Sequence, residues 1–233
     1  MVNLCIIGDY NAQSETHRAT NESIALVKAQ RGIDLVEEWV ATRALSSLDT
    51  KNIDACIVNT GIYEDRDAVL KTLRVLREQK IPTLATCGGF QHMIIEFARN
   101  VLGLHSAGHA EFDTEGTEHI IAPLACSLRG LEGDISIIQD SQVGRLYGTG
   151  RTTERFYCSF GIHPSYVEQL HQSPLLIVGT DDASQIRITE LPHHPYFIGT
   201  LFVPHARALR GGIHPLIDGL IVSATAISRP ASR

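Results

Sequence analysis

Ile81-Pro-Thr-Leu-Ala-Thr-Cys87-Gly-Gly-Phe-Gln91-His-Met-Ile-Ile-Glu-Phe-Ala98 holds a strand, a turn and a helix in immediate succession. The apolar run 81–85 reads as a buried parallel strand, and 90–101 reads as a helix. Cys87 falls on the turn between them, followed by Gly88 and Gly89. A sharp strand-to-helix turn presents a nucleophile to a pocket, as in a nucleophile elbow. The helix N-terminus behind it stabilises a thiolate and lowers the cysteine pKa. The same pattern also suits an inert apolar cysteine in a glycine-rich turn, because free cysteines are commonly buried. Local pattern alone does not separate the two.

Working outward, strands are expected at 4–8, 35–39 and 55–59, with helices at 19–31 and 65–79. This alternation implies an α/β fold with a mostly parallel sheet and helices on both faces. The later half changes character. Strands are expected at 136–138, 144–147, 175–180, 185–190 and 197–202, some in antiparallel pairs, with helices at 165–172 and after Leu216. Residues 103–120 and 139–155 read as extended loops, and 228–233 as a frayed tail.

Composition excludes several function classes. The chain has 233 residues, 43% of them hydrophobic, which suits one α/β domain over 1–233 with a sizeable core. A net charge of -6 without a basic cluster argues against nucleic-acid binding. There is no signal peptide at the start and no apolar run of about 18 residues, so no membrane role is expected. Cysteines at 5, 56, 87, 126 and 158 are odd in number and widely spaced, which favours free thiols and a cytoplasmic location. No CxxC or HExxH occurs. His105, His109 and His119 share one segment, but their spacing would need partners elsewhere to hold a metal. Neither metal nor cofactor is expected.

Several segments together resemble a known family. They are Gly8-Asp-Tyr10 with Asn21-Glu22, the strand Asp54-Ala-Cys-Ile-Val58, the stretch Thr86-Cys-Gly-Gly-Phe-Gln91, and Ala110-Glu-Phe-Asp113. Pro195-Tyr-Phe-Ile-Gly199 and His214-Pro-Leu-Ile-Asp-Gly219 complete the order. The chain is similar to class I glutamine amidotransferases, in particular the glutaminase domain of CTP synthase. That resemblance covers nearly the whole chain and implies a flavodoxin-like fold with Cys87 as nucleophile. It implies that the backbone amides of Gly88 and Gly61 serve the oxyanion, and that Gln91 and Glu111 bind substrate. The synthetase domain that precedes this module in CTP synthase is not represented here, so CTP synthesis by this chain alone is not expected.

The departures bear on the activity. Where the family has Phe-His-Pro-Glu, this chain reads Phe202-Val203-Pro204-His205. Valine cannot transfer a proton, and the resemblance therefore implies a broken triad. His205, from the same loop, is the candidate replacement base, with His163 next in line. The family's carboxylate-binding arginine aligns with Ser159, and Thr60 replaces one glycine of the oxyanion loop. A hydroxyl does not replace a bidentate arginine contact.

Two readings are open. One is a divergent cysteine hydrolase or transferase acting on a small amide-like or carbonyl substrate rather than an efficient glutaminase. The other is a catalytically inactive pseudo-amidotransferase serving as a binding or regulatory module. A small-molecule substrate is expected; a second copy of the chain and a partner synthetase are both open as partners.

Overall fold

The computed structural model describes residues 1–113 and 115–228. Among them the strands and α-helices follow in order: β1 (Val2–Ile7), α1 (Glu15–Arg31), β2 (Leu35–Val40), β3 (Ala55–Val58), α2 (Arg66–Glu78), β4 (Thr83–Thr86) and α3 (Gly88–Asn100). Next come β5 (Gly108–His109), β6 (His119–Pro123), β7 (Glu132–Ile137), α4 (Gln142–Tyr147), β8 (Arg151–Arg155), β9 (Phe160–Ile162) and α5 (Val167–His171). The chain continues with β10 (Leu176–Thr180), β11 (Ile186–Glu190), β12 (Phe197–Thr200) and α6 (Pro215–Ser228). The expected frayed tail lies outside the described residues, except for Ser228, which ends α6.

A nine-stranded sheet runs β2-β1-β3-β4-β12-β11-β10-β7-β8. Its first five strands are parallel, and the remaining pairs are antiparallel. A three-stranded sheet, β5-β6-β9, stands apart. Side chains alternate across a strand, so each central strand feeds two cores. Leu4, Ile6, Ile57 and Leu84 pack with Ile24 and Val27 of α1 and with Leu220 and Ile221 of α6. Cys5, Ile7, Cys56, Val58 and Ala85 pack on the other side with Val69, Leu73 and Leu76 of α2 and Met93 of α3. Helices therefore cover both faces.

Local signals explain the helix ends. Ser14 accepts from the His17 N–H at the start of α1, and Gly32 closes it in the left-handed region at φ 61°. Asp65 caps α2 by accepting from the Ala68 N–H at 2.9 Å. Three expectations need correcting. Residues 144–147 are helical, the end of α4, rather than a strand. Ser141 caps this helix, the Glu190 carboxylate accepts from the Gln142 and Val143 N–H groups, and Gly148 ends it at φ 67°. The stretch 139–155 is accordingly no loop, since it holds both α4 and β8. The other expected loop, 103–120, contains β5 and the start of β6, because its backbone pairs at the edge of the small sheet.

Candidate functional site

The site begins at the end of β4. The Cys87 N–H donates to the Thr200 carbonyl at 2.8 Å, extending the β4–β12 ladder by one residue. Its carbonyl accepts from the Gln91 N–H at 3.0 Å, opening the helix. One residue must turn from ladder to helix, and Cys87 does so at φ 50°, ψ -106°. A positive φ in a residue other than glycine costs on the order of 1–3 kcal/mol and persists only where its surroundings enforce it. The two glycines allow this. A Cβ on Gly89 would lie 2.1 Å from the Val58 carbonyl oxygen, and one on Gly88 would lie 2.8 Å from that of Gly61. The elbow is thus pressed against the loop after β3.

Cys87 opens into a cavity of about 350 Å³. Gly61, Gly88, Gln91, Glu111 and Ser159 line the same cavity, so the structure brings six of the seven expected site residues together. Thr60, Arg129, Tyr157 and Cys158 also line it. These neighbours favour the Cys87 thiolate. The Cys158 thiol is the strongest influence, as a hydrogen-bond donor facing the sulfur. Burial opposes it, while the Thr60 hydroxyl, the Gly88 N–H and the Arg129 charge add to it, leaving Cys87 below the ordinary thiol value. Cys158 moves the opposite way, upward, first because its proton is shared with Cys87 and then through burial. All five cysteines are free.

The residues expected on the substrate side are held in place. The Gln91 amide donates to the Phe160 carbonyl at 3.0 Å, and its oxygen lies 3.2 Å from His109 Nε2. His109 Nδ1 accepts from the Glu111 N–H at 3.2 Å, which assigns the ring proton to Nε2. Burial, then nearby His92, holds His109 neutral with its pKa down to about 3. His17 acts similarly on the opposite wall: Nδ1 accepts from the Asn11 N–H at 2.9 Å, and Nε2 faces the Thr60 carbonyl at 3.1 Å. Each histidine orients a loop that carries a lining residue.

Comparison with known proteins agrees with this arrangement. The model of the family "Glutamine amidotransferase class-I" matches residues 15–222. The chain belongs to the class I glutamine amidotransferases. It is 28% identical to the CTP synthase of Methanopyrus kandleri and 30% identical to that of a Nocardioides species, each over 96% of this chain. Those matches cover 45% and 43% of the relatives, so the chain spans less than half their length. The fold is similar to the Trypanosoma brucei CTP synthase glutaminase domain with bound acivicin. That likeness has TM-score 0.85 and 20% identity, and covers 97% of this chain and 94% of that one.

Within this amidotransferase, the structure does not bring His205 to the cavity. His205 lies on the 3-10 turn Pro204–Arg210, fully buried, and neither ring nitrogen has a hydrogen-bond partner. Burial, with His17 and His214 nearby, pushes its pKa down to about 3. A ring nitrogen without a partner is not bonded to the Cys87 sulfur. His163 faces a different cavity, with its Nδ1 2.7 Å from the Ser165 hydroxyl. Ser159 does line the cavity, paired with the Ser127 hydroxyl at 2.8 Å.

The sequence puts Thr60 in the oxyanion loop but gives its hydroxyl no role, and it does not mark Cys158 or Arg129 as site residues. The signal for Cys158 was its position beside Ser159, in the stretch already aligned with the family's arginine. Arg129 left no such signal, because it reaches the cavity from the turn between β6 and β7. Among the described residues no carboxylate pairs with its guanidinium, and no group of three or more metal-ligating side chains gathers. No described helix is long and apolar enough to cross a membrane.

Proposed function

We propose that this amidotransferase-family protein uses Cys87 as a nucleophile on a small amide or related carbonyl compound bearing a carboxylate, and that it is not an efficient glutaminase. The observation that carries this reading is the thiolate-favouring environment of Cys87 inside an open cavity. A lowered pKa leaves more of the thiol as thiolate, which attacks a carbonyl carbon without first losing a proton to a base. The missing histidine is therefore less damaging to attack than to departure of the amine, which still needs a proton. Cys158, a second thiol lining the same cavity, is assigned as its donor.

In this reading Cys87 Sγ bonds to the substrate carbon, and the carbonyl oxygen becomes an oxyanion beside the Gly88 and Gly61 amides. The amine leaves with the proton, and water then hydrolyses the thioester. Arg129 supports a carboxylate-bearing substrate, because it gives the cavity a cation without a carboxylate partner among the described residues. It stands in for the arginine lost at Ser159 but comes from a different loop. Gln91 and Glu111 line the substrate side. Work with a partner synthetase or with a second copy of the chain is part of the proposal.

A second reading is favoured by one observation: among the described residues no histidine lines the cavity. A pseudo-amidotransferase would keep the cavity for binding alone. Ammonia release separates the two, measured with glutamine and with a panel of small carboxylate-bearing amides, for the parent and Cys87→Ser. The expected result is turnover of at least one amide, lost in Cys87→Ser, with glutamine turned over poorly. Loss of a general base costs on the order of 10²–10⁴-fold. Strong glutamine hydrolysis abolished by Cys87→Ser would contradict the proposed substrate preference. No turnover and no acyl adduct with any compound would favour the binding module.

A further inference from the structure

The cavity holds two thiols, whereas acyl transfer needs only one sulfur nucleophile. Cys158 lies in the short connection between β8 and β9, and Cys87 on the elbow between β4 and α3. Both line the same cavity, and both are free. The Cys87 N–H donates to the Thr200 carbonyl at 2.8 Å and the Cys158 S–H to the next carbonyl, that of Leu201, at 2.9 Å from Sγ, so both cysteines are anchored side by side at the end of β12. A small oxidant that enters the cavity therefore meets Cys87, the more readily ionised thiol, with a second thiol already in place.

We propose that Cys87 and Cys158 form a reversible disulfide in response to hydroperoxides, with Cys87 as the oxidised sulfur and Cys158 as the resolving one. In the first step the Cys87 thiolate attacks the terminal peroxide oxygen. An S–O bond forms, the O–O bond breaks, and the alkoxide or hydroxide released takes up a proton. Cys87 loses two electrons and becomes a sulfenic acid. In the second step Cys158 sulfur attacks the sulfenic sulfur. The S–S bond forms, the S–O bond breaks, and the departing hydroxide leaves as water with the Cys158 proton. A dithiol reductant returns both thiols by exchange. Low-pKa accessible cysteines beside a resolving cysteine are the ones that follow this route.

The consequence is a switch at the nucleophile itself. While the bond stands, Cys87 cannot attack a carbonyl, and it is protected from further oxidation to sulfinic acid. The proposal does not depend on which compound the cavity turns over, or on whether it turns one over at all. An internal comparison exists in Cys5 and Cys56, which are opposite one another on β1 and β3. Both are buried in the core, and burial drives the Cys56 thiol up rather than down. With the Cys56 thiol driven up by burial, that pair is the slower one to oxidise.

The test exposes the protein to hydrogen peroxide in a Cys126→Ser background, which removes the exposed thiol. Non-reducing peptide mapping follows, with iodoacetamide labelling of Cys87 before and after dithiothreitol. The expected result is a Cys87–Cys158 linked peptide, loss of Cys87 labelling, and its recovery on reduction. Adding Cys158→Ser should leave Cys87 over-oxidised and its labelling unrecoverable. Oxidation of Cys87 without a link to Cys158, a link confined to Cys5–Cys56, or labelling unchanged by peroxide would overturn the proposal. The parent peptide map decides this even if the Cys158→Ser chain folds poorly.

Discussion

Cys87 depends on its donors more than on any base. Hydrogen bonds to a charged group contribute about 1.5–3 kcal/mol each, and one pKa unit is about 1.36 kcal/mol. Removing a donor should therefore raise the Cys87 pKa by roughly one to two units. Cys158→Ala and Thr60→Ala are each expected to move the midpoint of Cys87 alkylation to higher pH, with Cys158→Ala moving it further because that thiol is the larger influence. Measuring alkylation rate against pH for both variants checks the order. Arg129→Gln removes the unpaired cation at the cavity. Binding of a carboxylate-bearing ligand, followed by calorimetry, should weaken by about 1.5–3 kcal/mol. Cys87 was legible in the sequence because a strand, two glycines and a helix surround it in one continuous stretch. Arg129 and Cys158 were not, since only the folding of distant segments brings them to the sulfur. His205 shows the converse: one loop in sequence does not guarantee one cavity in space, and its ring turned into the core.

At the scale of elements, the elbow depends on α3 being fixed. Glu96 of α3 is completely buried and takes both oxygens to the Arg77 guanidinium of α2, at 2.7 to 3.2 Å. The contact holds the helix behind Cys87 against its neighbour. Breaking a buried pair by removing one partner costs about 3–5 kcal/mol, because the other charge is left unpaired. Arg77→Met should lower stability by about that amount in urea unfolding, while the folded variant keeps the parent's Cys87 alkylation profile. The elements themselves were largely legible. The apolar runs around β1, β3 and β4 are continuous because helices bury both faces, and they announce a parallel sheet. The helix α4 was not, because six residues are too few to show a helical period. Its evidence lay in the flanking Ser141 and Gly148, and in Glu190, which arrives from a distant strand.

Taken as a whole, the molecule buries several neutral histidines. Burial, the leading cause in each case, lowers the pKa to about 4 in His92 and His194 and to about 3 in His109 and His205. The unfolded chain takes up protons at about 6.5, well before the folded chain does. Their contribution is thus full above about pH 6.5 and is lost as pH falls toward the folded values of 4 and 3. Thermal unfolding monitored from pH 7 down to pH 4.5 should show Tm falling steeply below about pH 6.5. His205→Leu should flatten that fall, since it removes one neutral buried ring whose nitrogens have no partner. Cys87 stands outside this set, because among the described residues no histidine lines its cavity. The most direct measurement is the iodoacetamide alkylation rate of Cys87 against pH in the parent and in His205→Ala. The account predicts a midpoint below the ordinary thiol value of about 8.5 in the parent, and the same midpoint in the folded variant. A parent midpoint at or above about 8.5, or a profile that moves to higher pH in His205→Ala, would contradict it.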